Sequence, residues 1–222
     1  MPVPIFRRQP DPLAAQAAAA WFDGDIGRGL LAAEAQLLVP LLERYGGANV
    51  LHLLPCDSAP RLPQGAKTRQ LTHLFRDKEV WHGDLRSAAG NLPLRGDSMD
   101  AILAWHVLAD APERELLAAE LLRVLAPEGT LMVVELDPWS LRRSIWARHG
   151  PVAWPATAAI AHLQGIGFDL LARDGLGARW SRGKVQATQS RFTDLPLPAR
   201  ASYALSFRKR EAAGAVVGLA MA

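Results

Sequence analysis

Cysteine is nearly absent from this sequence. The one residue present, Cys56, excludes an internal disulfide framework and any cysteine-rich zinc site. It fits a reducing compartment, and a cytoplasmic location is the expectation. Long apolar runs are missing as well, since no stretch approaches the roughly 20 residues that a membrane helix needs. The alanine-rich stretch from Met1 to Phe22 imitates a secretion signal. It is interrupted by Pro10, Asp11, Pro12 and Gln16, and Trp21-Phe22 stands where cleavage wants small residues. The apolar run from Ala212 to Ala222 is too short to span, so no membrane insertion is expected. The six histidines are scattered, with no HExxH and no pair spaced for a metal. GxxxxGK[ST] and GxSxG are absent, which argues against a P-loop phosphate site and a hydrolase elbow. No repeat or low-complexity linker divides the chain.

What is present describes an ordinary globular protein. Half of the 222 residues are apolar and 21% are charged, which excludes disorder as the main state. The net charge of +3 conceals an asymmetry. Residues 1–140 carry 13 Lys/Arg against 18 Asp/Glu, whereas residues 141–222 carry 12 against 4. A basic final third suits an anionic partner, and Arg179-Trp180-Ser181-Arg182-Gly183-Lys184 interleaves an aromatic with cations as single-stranded nucleic-acid binders do. A solvated, arginine-rich hairpin is the competing reading.

Apolar spacing from Leu30 to Leu42 predicts a helix over Arg28–Tyr45, kinked at Pro40 and ended by Gly46-Gly47. Short strands are expected at 49–54, 70–75 and 79–82. Ala101–Trp105 and Thr130–Leu136 are apolar on both faces, as buried parallel strands are. Between them, Asp110 and Glu113 resemble a capping box ahead of a helix with apolar Leu116, Leu117, Leu121, Val124 and Leu125. A last helix over 155–164 and strands at 168–172 and 201–208 complete the pattern. Strands alternating with helices predict an α/β fold, a Rossmann-like three-layer sandwich around a mostly parallel sheet of six to seven strands, the last antiparallel. The expected organisation is a flexible arm at 1–20, one domain at 21–210 and a disordered tail at 211–222.

The segment from Asn91 to Asp137 carries Leu92-Pro93-Leu94, Ser98-Met99-Asp100, His106-Val107-Leu108, Glu120-Leu121-Leu122-Arg123-Val124-Leu125 and Pro127-Glu128-Gly129 in order. This string resembles class I S-adenosylmethionine-dependent methyltransferases of the type-11, ubiquinone-biosynthesis-like kind. Trp21-Phe22-Asp23 with the leucine helix, and Asp137-Pro138-Trp139-Ser140-Leu141, resemble a group of bacterial methyltransferase-like proteins.

The resemblance implies S-adenosylmethionine as cofactor and assigns roles by position. The glycine-rich turn after the first strand falls on Leu54 to Ser58, so Leu54 and Asp57 would face the cofactor, although no glycine follows until Gly65. Asp77 is the nearest acid for the ribose hydroxyls, with a surface ion pair as the competing reading. Asp84 and Leu85 would meet the adenine. Trp105 would line the methyl-donor cavity, His106 would serve as a general base, and Trp139 would stack on substrate. The competing reading of His106, and for a lone histidine the stronger one, is a core histidine whose ring is satisfied by backbone. The implied function is methyl transfer to a small-molecule or nucleic-acid acceptor. The alternative is a methyltransferase-fold protein that has lost the cofactor and serves as a binding or scaffold module.

Overall fold

The computed structural model describes residues 12–45, 47–77, 80–88, 90–141, 143–148, 150–181, 184–191 and 200–210. The 1–11 part of the expected arm and the whole expected tail lie outside these residues.

Two helices open the chain, α1 (Pro12–Asp23) and α2 (Asp25–Tyr45). Residues 12–20, expected as an arm, are thus helical, and Ala15 and Ala18 are buried. Strands β1 (Asn49–Leu54), β2 (Gln70–Asp77), β3 (Val80–Gly83), β4 (Ser87–Ala88) and β5 (Met99–Trp105) follow. Then come α3 (Arg114–Val124), β6 (Leu125–Leu136), α4 (Ala156–Ile166), β7 (Phe168–Ser181), β8 (Lys184–Arg191) and β9 (Arg200–Lys209). They form one nine-stranded sheet of order β4-β3-β2-β1-β5-β6-β9-β7-β8.

The period-two alternation of strand side chains builds two cores. On one face Leu54, Leu103, Trp105, Met132 and Val134 meet Phe22, Leu30, Leu31, Leu38 and Leu41 of the first two helices. On the other, Leu51, Leu53, Leu74, Ile102, Leu131 and Val133 meet Leu117, Leu121, Val124, Ala159 and Leu163 of α3 and α4. This is the three-layer α/β sandwich that the sequence predicts.

Parallel pairing, expected for most of the sheet, is confined to its centre. Strands β2, β1, β5 and β6 are parallel, while β3, β4, β9, β7 and β8 join antiparallel. The reason at β2 is chain length. Two residues separate β2 from β3, and a parallel return needs a crossover of a dozen or more. Only a hairpin can form. The expected antiparallel last strand is β9, placed between β6 and β7.

The predicted capping box at Asp110 does not form. Helix α3 begins at Arg114, and its N-cap Glu113 makes no side-chain cap. Asp110 is buried instead, accepting the Val152 N–H at 2.7 Å. The glycines of Gly24–Gly29, which superficially resemble a phosphate loop, join α1 to α2. A Cβ on Gly27 would stand 2.3 Å from the Trp21 carbonyl oxygen and 2.5 Å from the Phe22 Cα, so glycine there permits the two helices to touch.

Candidate functional site

The carboxyl ends of the parallel strands are where open α/β sheets bind ligands. Here that edge divides into an open cleft over β1 and β2 and a sealed interior over β5 and β6.

The cleft, about 440 Å³, is walled by Gln16, Ala19, Ala20 and Asp23 of α1 and by Cys56, Asp57, Ser58, Phe75, Arg76 and Asp77 at the strand ends. It brings together two of the acids singled out in the sequence, Asp57 and Asp77, both exposed. Asp57 also holds Arg61 at 3.1 Å. Leu54, at the end of β1, is fully buried beneath them, so only its backbone could meet a ligand. Burial pushes the Cys56 thiol up, which leaves it protonated.

Asp84 and Leu85 stand elsewhere. Because β3 runs back along β2, its end lies beside His73, whose N–H donates to Asp84 Oδ2 at 2.7 Å. His73 lies four residues before Asp77, or about 13 Å along the strand, toward the amino edge of the sheet. Gly83 takes φ +129°, and a Cβ on it would stand 2.3 Å from the His73 carbonyl oxygen. The Gly83-Asp84 pair that resembles an adenine-binding motif therefore closes a β-hairpin in this chain.

Trp105 and His106 are also withdrawn from the cleft. Trp105 is completely buried and donates its indole N–H to Glu34 Oε2 at 2.7 Å. His106, in the left-handed region at φ 50°, meets the same oxygen through Nε2 at 2.9 Å. Its ring stacks on Phe22 with centroids 4.7 Å apart. The Ser202 hydroxyl donates to Glu34 Oε1. Burial by itself would lower the His106 pKa, but the charge and hydrogen bond of Glu34, with the nearby charge of Glu135, lift it to about 9. His106 is therefore the cation of a buried ion pair, and a protonated, sealed imidazole is no general base. Behind it, Glu135 Oε1 accepts the N–H groups of Leu108 and Ala109, each at 2.9 Å. Asp110 completes the buried cluster, its carboxyl lifted to about 7 by burial.

Trp139 lies past β6 and is 64% exposed. Its backbone N–H donates to Asp137 Oδ1 at 2.9 Å, so the Asp137 side chain shapes this turn. The structure does not bring Trp139 into the cleft.

Sequence reasoning missed Glu34, Arg76 and Glu135. Each left a signal. Glu34 falls four residues after Leu30 and four before Leu38, on the apolar stripe of α2. Glu135 interrupts the apolar run from Leu131 to Leu136. A charged residue at a core position is the informative observation.

S-adenosylmethionine suits this edge only in part. Asp57 and Asp77 offer acceptors for the hydroxyls of its nucleoside half. Its methionine half meets no glycine turn, Pro55 lacks an N–H, and Phe22 and Glu34 fill the space above β5.

A family model for a methyltransferase domain matches residues 35–133. Comparison with curated protein sequences gives no match. Among solved structures, a Thermotoga maritima protein described as an S-adenosylmethionine-dependent methyltransferase, possible histamine N-methyltransferase, aligns with TM-score 0.53 at 15% identity, covering 86% of this chain and 94% of that one. A chain from Haloferax volcanii, solved in complex with a methyltransferase activator, gives 0.53 at 16% identity over 86% and 94%. An S-adenosylmethionine-dependent methyltransferase from Mesorhizobium loti gives 0.50 at 16% over 85% and 100%. At these identities the structures speak for the fold. With the methyltransferase-domain match over residues 35–133, they show that this chain has the fold of S-adenosylmethionine-dependent methyltransferases.

Proposed function

We propose that the chain is an S-adenosylmethionine-dependent methyltransferase whose cofactor cleft lies between α1 and the carboxyl ends of β1 and β2. The observation that carries this reading is the pair Asp57 and Asp77, set on one cleft at the ends of adjacent parallel strands. A carboxylate at that place accepts hydrogen bonds from ribose hydroxyls. The bound cofactor supplies an activated methyl group on a sulfonium, and the protein contributes proximity and alignment. The acceptor is a small molecule or a nucleic acid, and the chain's basic final third suits an anionic one. Among the described residues, no helix is long and apolar enough to cross a membrane.

The second reading, a binding module without cofactor, is favoured by the Phe22–His106 stack and the Glu34 ion pair that fill the edge above β5. Calorimetric titration with S-adenosylmethionine and its demethylated product separates the two. Micromolar binding is expected, weakened about 10- to 100-fold in Asp77→Ala, the equivalent of about 1.5–3 kcal/mol for hydrogen bonds to a charged group. Asp84→Ala should bind as the parent does. No heat at millimolar cofactor from a folded protein overturns the methyltransferase reading and leaves the module.

A further inference from the structure

Arg76 and Arg200 are the two buried arginines among the described residues. Arg76 is 8% exposed and lines the cleft along with Asp57 and Asp77. A guanidinium presents five N–H donors in a rigid fork. Among the described residues, none of those donors makes a hydrogen bond or a close ion pair. Half-buried Arg114 and exposed Arg123, by contrast, spend their donors within the protein. Arg114 donates to the carbonyl oxygens of Leu108, at 2.9 Å, and Ala109, and lies 4.3 Å from the Trp154 ring centroid. Arg123 donates to Glu120 and to the carbonyl oxygens of Leu92 and Leu94.

A buried cation without a partner is costly, so something must make Arg76 tolerable. Glu135 and Asp110 attract it from the interior, yet neither is in contact. Glu135 Oε1 is committed to the Leu108 and Ala109 N–H groups, and Oε2 faces His106 Nδ1 at 3.8 Å. Asp110 Oδ1 holds the Val152 N–H. These acids balance the charge from the interior, where Asp110 Oδ2 is itself buried without a hydrogen bond, and no described residue holds the fork. Burial also weakens the guanidinium's hold on its proton, which marks a poorly solvated position where an ion pair counts for more than it does in water.

We infer that the cleft takes a nucleoside bearing an oxyanion, carboxylate or phosphate, and that the Arg76 fork receives that oxyanion. The inference rests on the nucleoside-binding cleft proposed above and adds its anion subsite. It also explains how the chain does without a glycine-rich turn. Where such a turn would present backbone N–H groups, this chain has Pro55, and a planar guanidinium matches a carboxylate or phosphate with two parallel hydrogen bonds. Two sources share this chemistry, the amino-acid carboxylate of S-adenosylmethionine and the phosphate of a nucleotide.

The test is calorimetry on the full chain with four probes: S-adenosylhomocysteine, methylthioadenosine, adenosine 5′-monophosphate and adenosine. Methylthioadenosine keeps the nucleoside and thioether but lacks the carboxylate. At least one oxyanion-bearing probe should bind 10-fold or more tighter than its oxyanion-free counterpart, and which pair shows the preference names the source. Arg76→Met should abolish the preference while leaving methylthioadenosine or adenosine affinity unchanged. Arg76→Lys, which keeps the charge but loses the fork, should retain part of it. Equal affinities within both pairs for the parent protein overturn this inference alone, as does a preference that survives in a folded Arg76→Met. Failure of all four probes to bind overturns the nucleoside cleft along with it.

Discussion

Replacing Glu34 by alanine removes the acceptor on which α2, β5 and β9 converge. Glu34 is 2% exposed and takes the Trp105 indole N–H, His106 Nε2 and the Ser202 hydroxyl. Truncation leaves those three donors buried without an acceptor and His106 without its nearest counter-charge. Breaking a buried ion pair from one side costs about 3–5 kcal/mol, which for a chain of this size lowers the melting temperature by roughly 6–20 °C. The pair also gives stability a definite pH dependence. The His106 pKa rises from 6.5 to about 9 on folding, so its contribution is fully present below pH 6.5 and is lost as pH rises through about 9. That contribution is on the order of 3 kcal/mol, at ~1.4 kcal/mol per pH unit. In Glu34→Ala the imidazole loses the charge that held its proton, and the alkaline decline between those pH values should shrink. Urea titrations at pH 6 and pH 9, followed by tryptophan fluorescence, report both quantities. A loss below about 1 kcal/mol, or an unchanged alkaline decline, refutes the buried ion pair.

The remaining expectations concern other parts of the same edge. Asp77→Ala should weaken cofactor binding about 10- to 100-fold by calorimetry while Asp84→Ala does not, because Asp84 lies beside His73 in the middle of β2 and Asp77 at its carboxyl end. Arg76→Met should erase the preference for an oxyanion in whichever probe pair shows it in the parent protein, as read from paired titrations. In Asp110→Asn the amide oxygen can still accept the Val152 N–H. Since burial raises the carboxyl from 3.8 to about 7, the decline in stability as pH rises from 4 to 7 should flatten in this variant, as denaturation midpoints at pH 4 and 7 would register. Gly27→Ala should cost 1–3 kcal/mol or more by overpacking, because its new Cβ meets immovable backbone of α1. An unchanged melting temperature would show that α1 does not sit against α2 as described.

Much of the fold was legible in the sequence because its signals are local. The helical stripe of leucines from Leu30 to Leu42 is an α2 core face, and the apolar runs at Ala101–Trp105 and Thr130–Leu136 fall in the parallel strands β5 and β6. The direction of β3 was harder to see. Its residues favour a strand either way, and only the two-residue link to β2 decides the sense. The same link displaced Asp84 from the carboxyl edge of the sheet, although its Gly-Asp motif reads well.

By itself, then, the chain's periodicity determined which segments are helices and strands, and its apolar runs determined which strands lie at the centre of the sheet. These are consequences of 3.6- and two-residue repeats acting over short windows. Tertiary structure alone decided the chemistry of the carboxyl edge. It set Glu34 against His106, 72 residues apart, and turned a candidate base into a buried cation. It also placed Arg76 and Asp77, neighbours in sequence, with Asp57 on one cleft. Charge state and accessibility depend on what surrounds a group in space, and contacts between distant segments carry no signature in either segment alone.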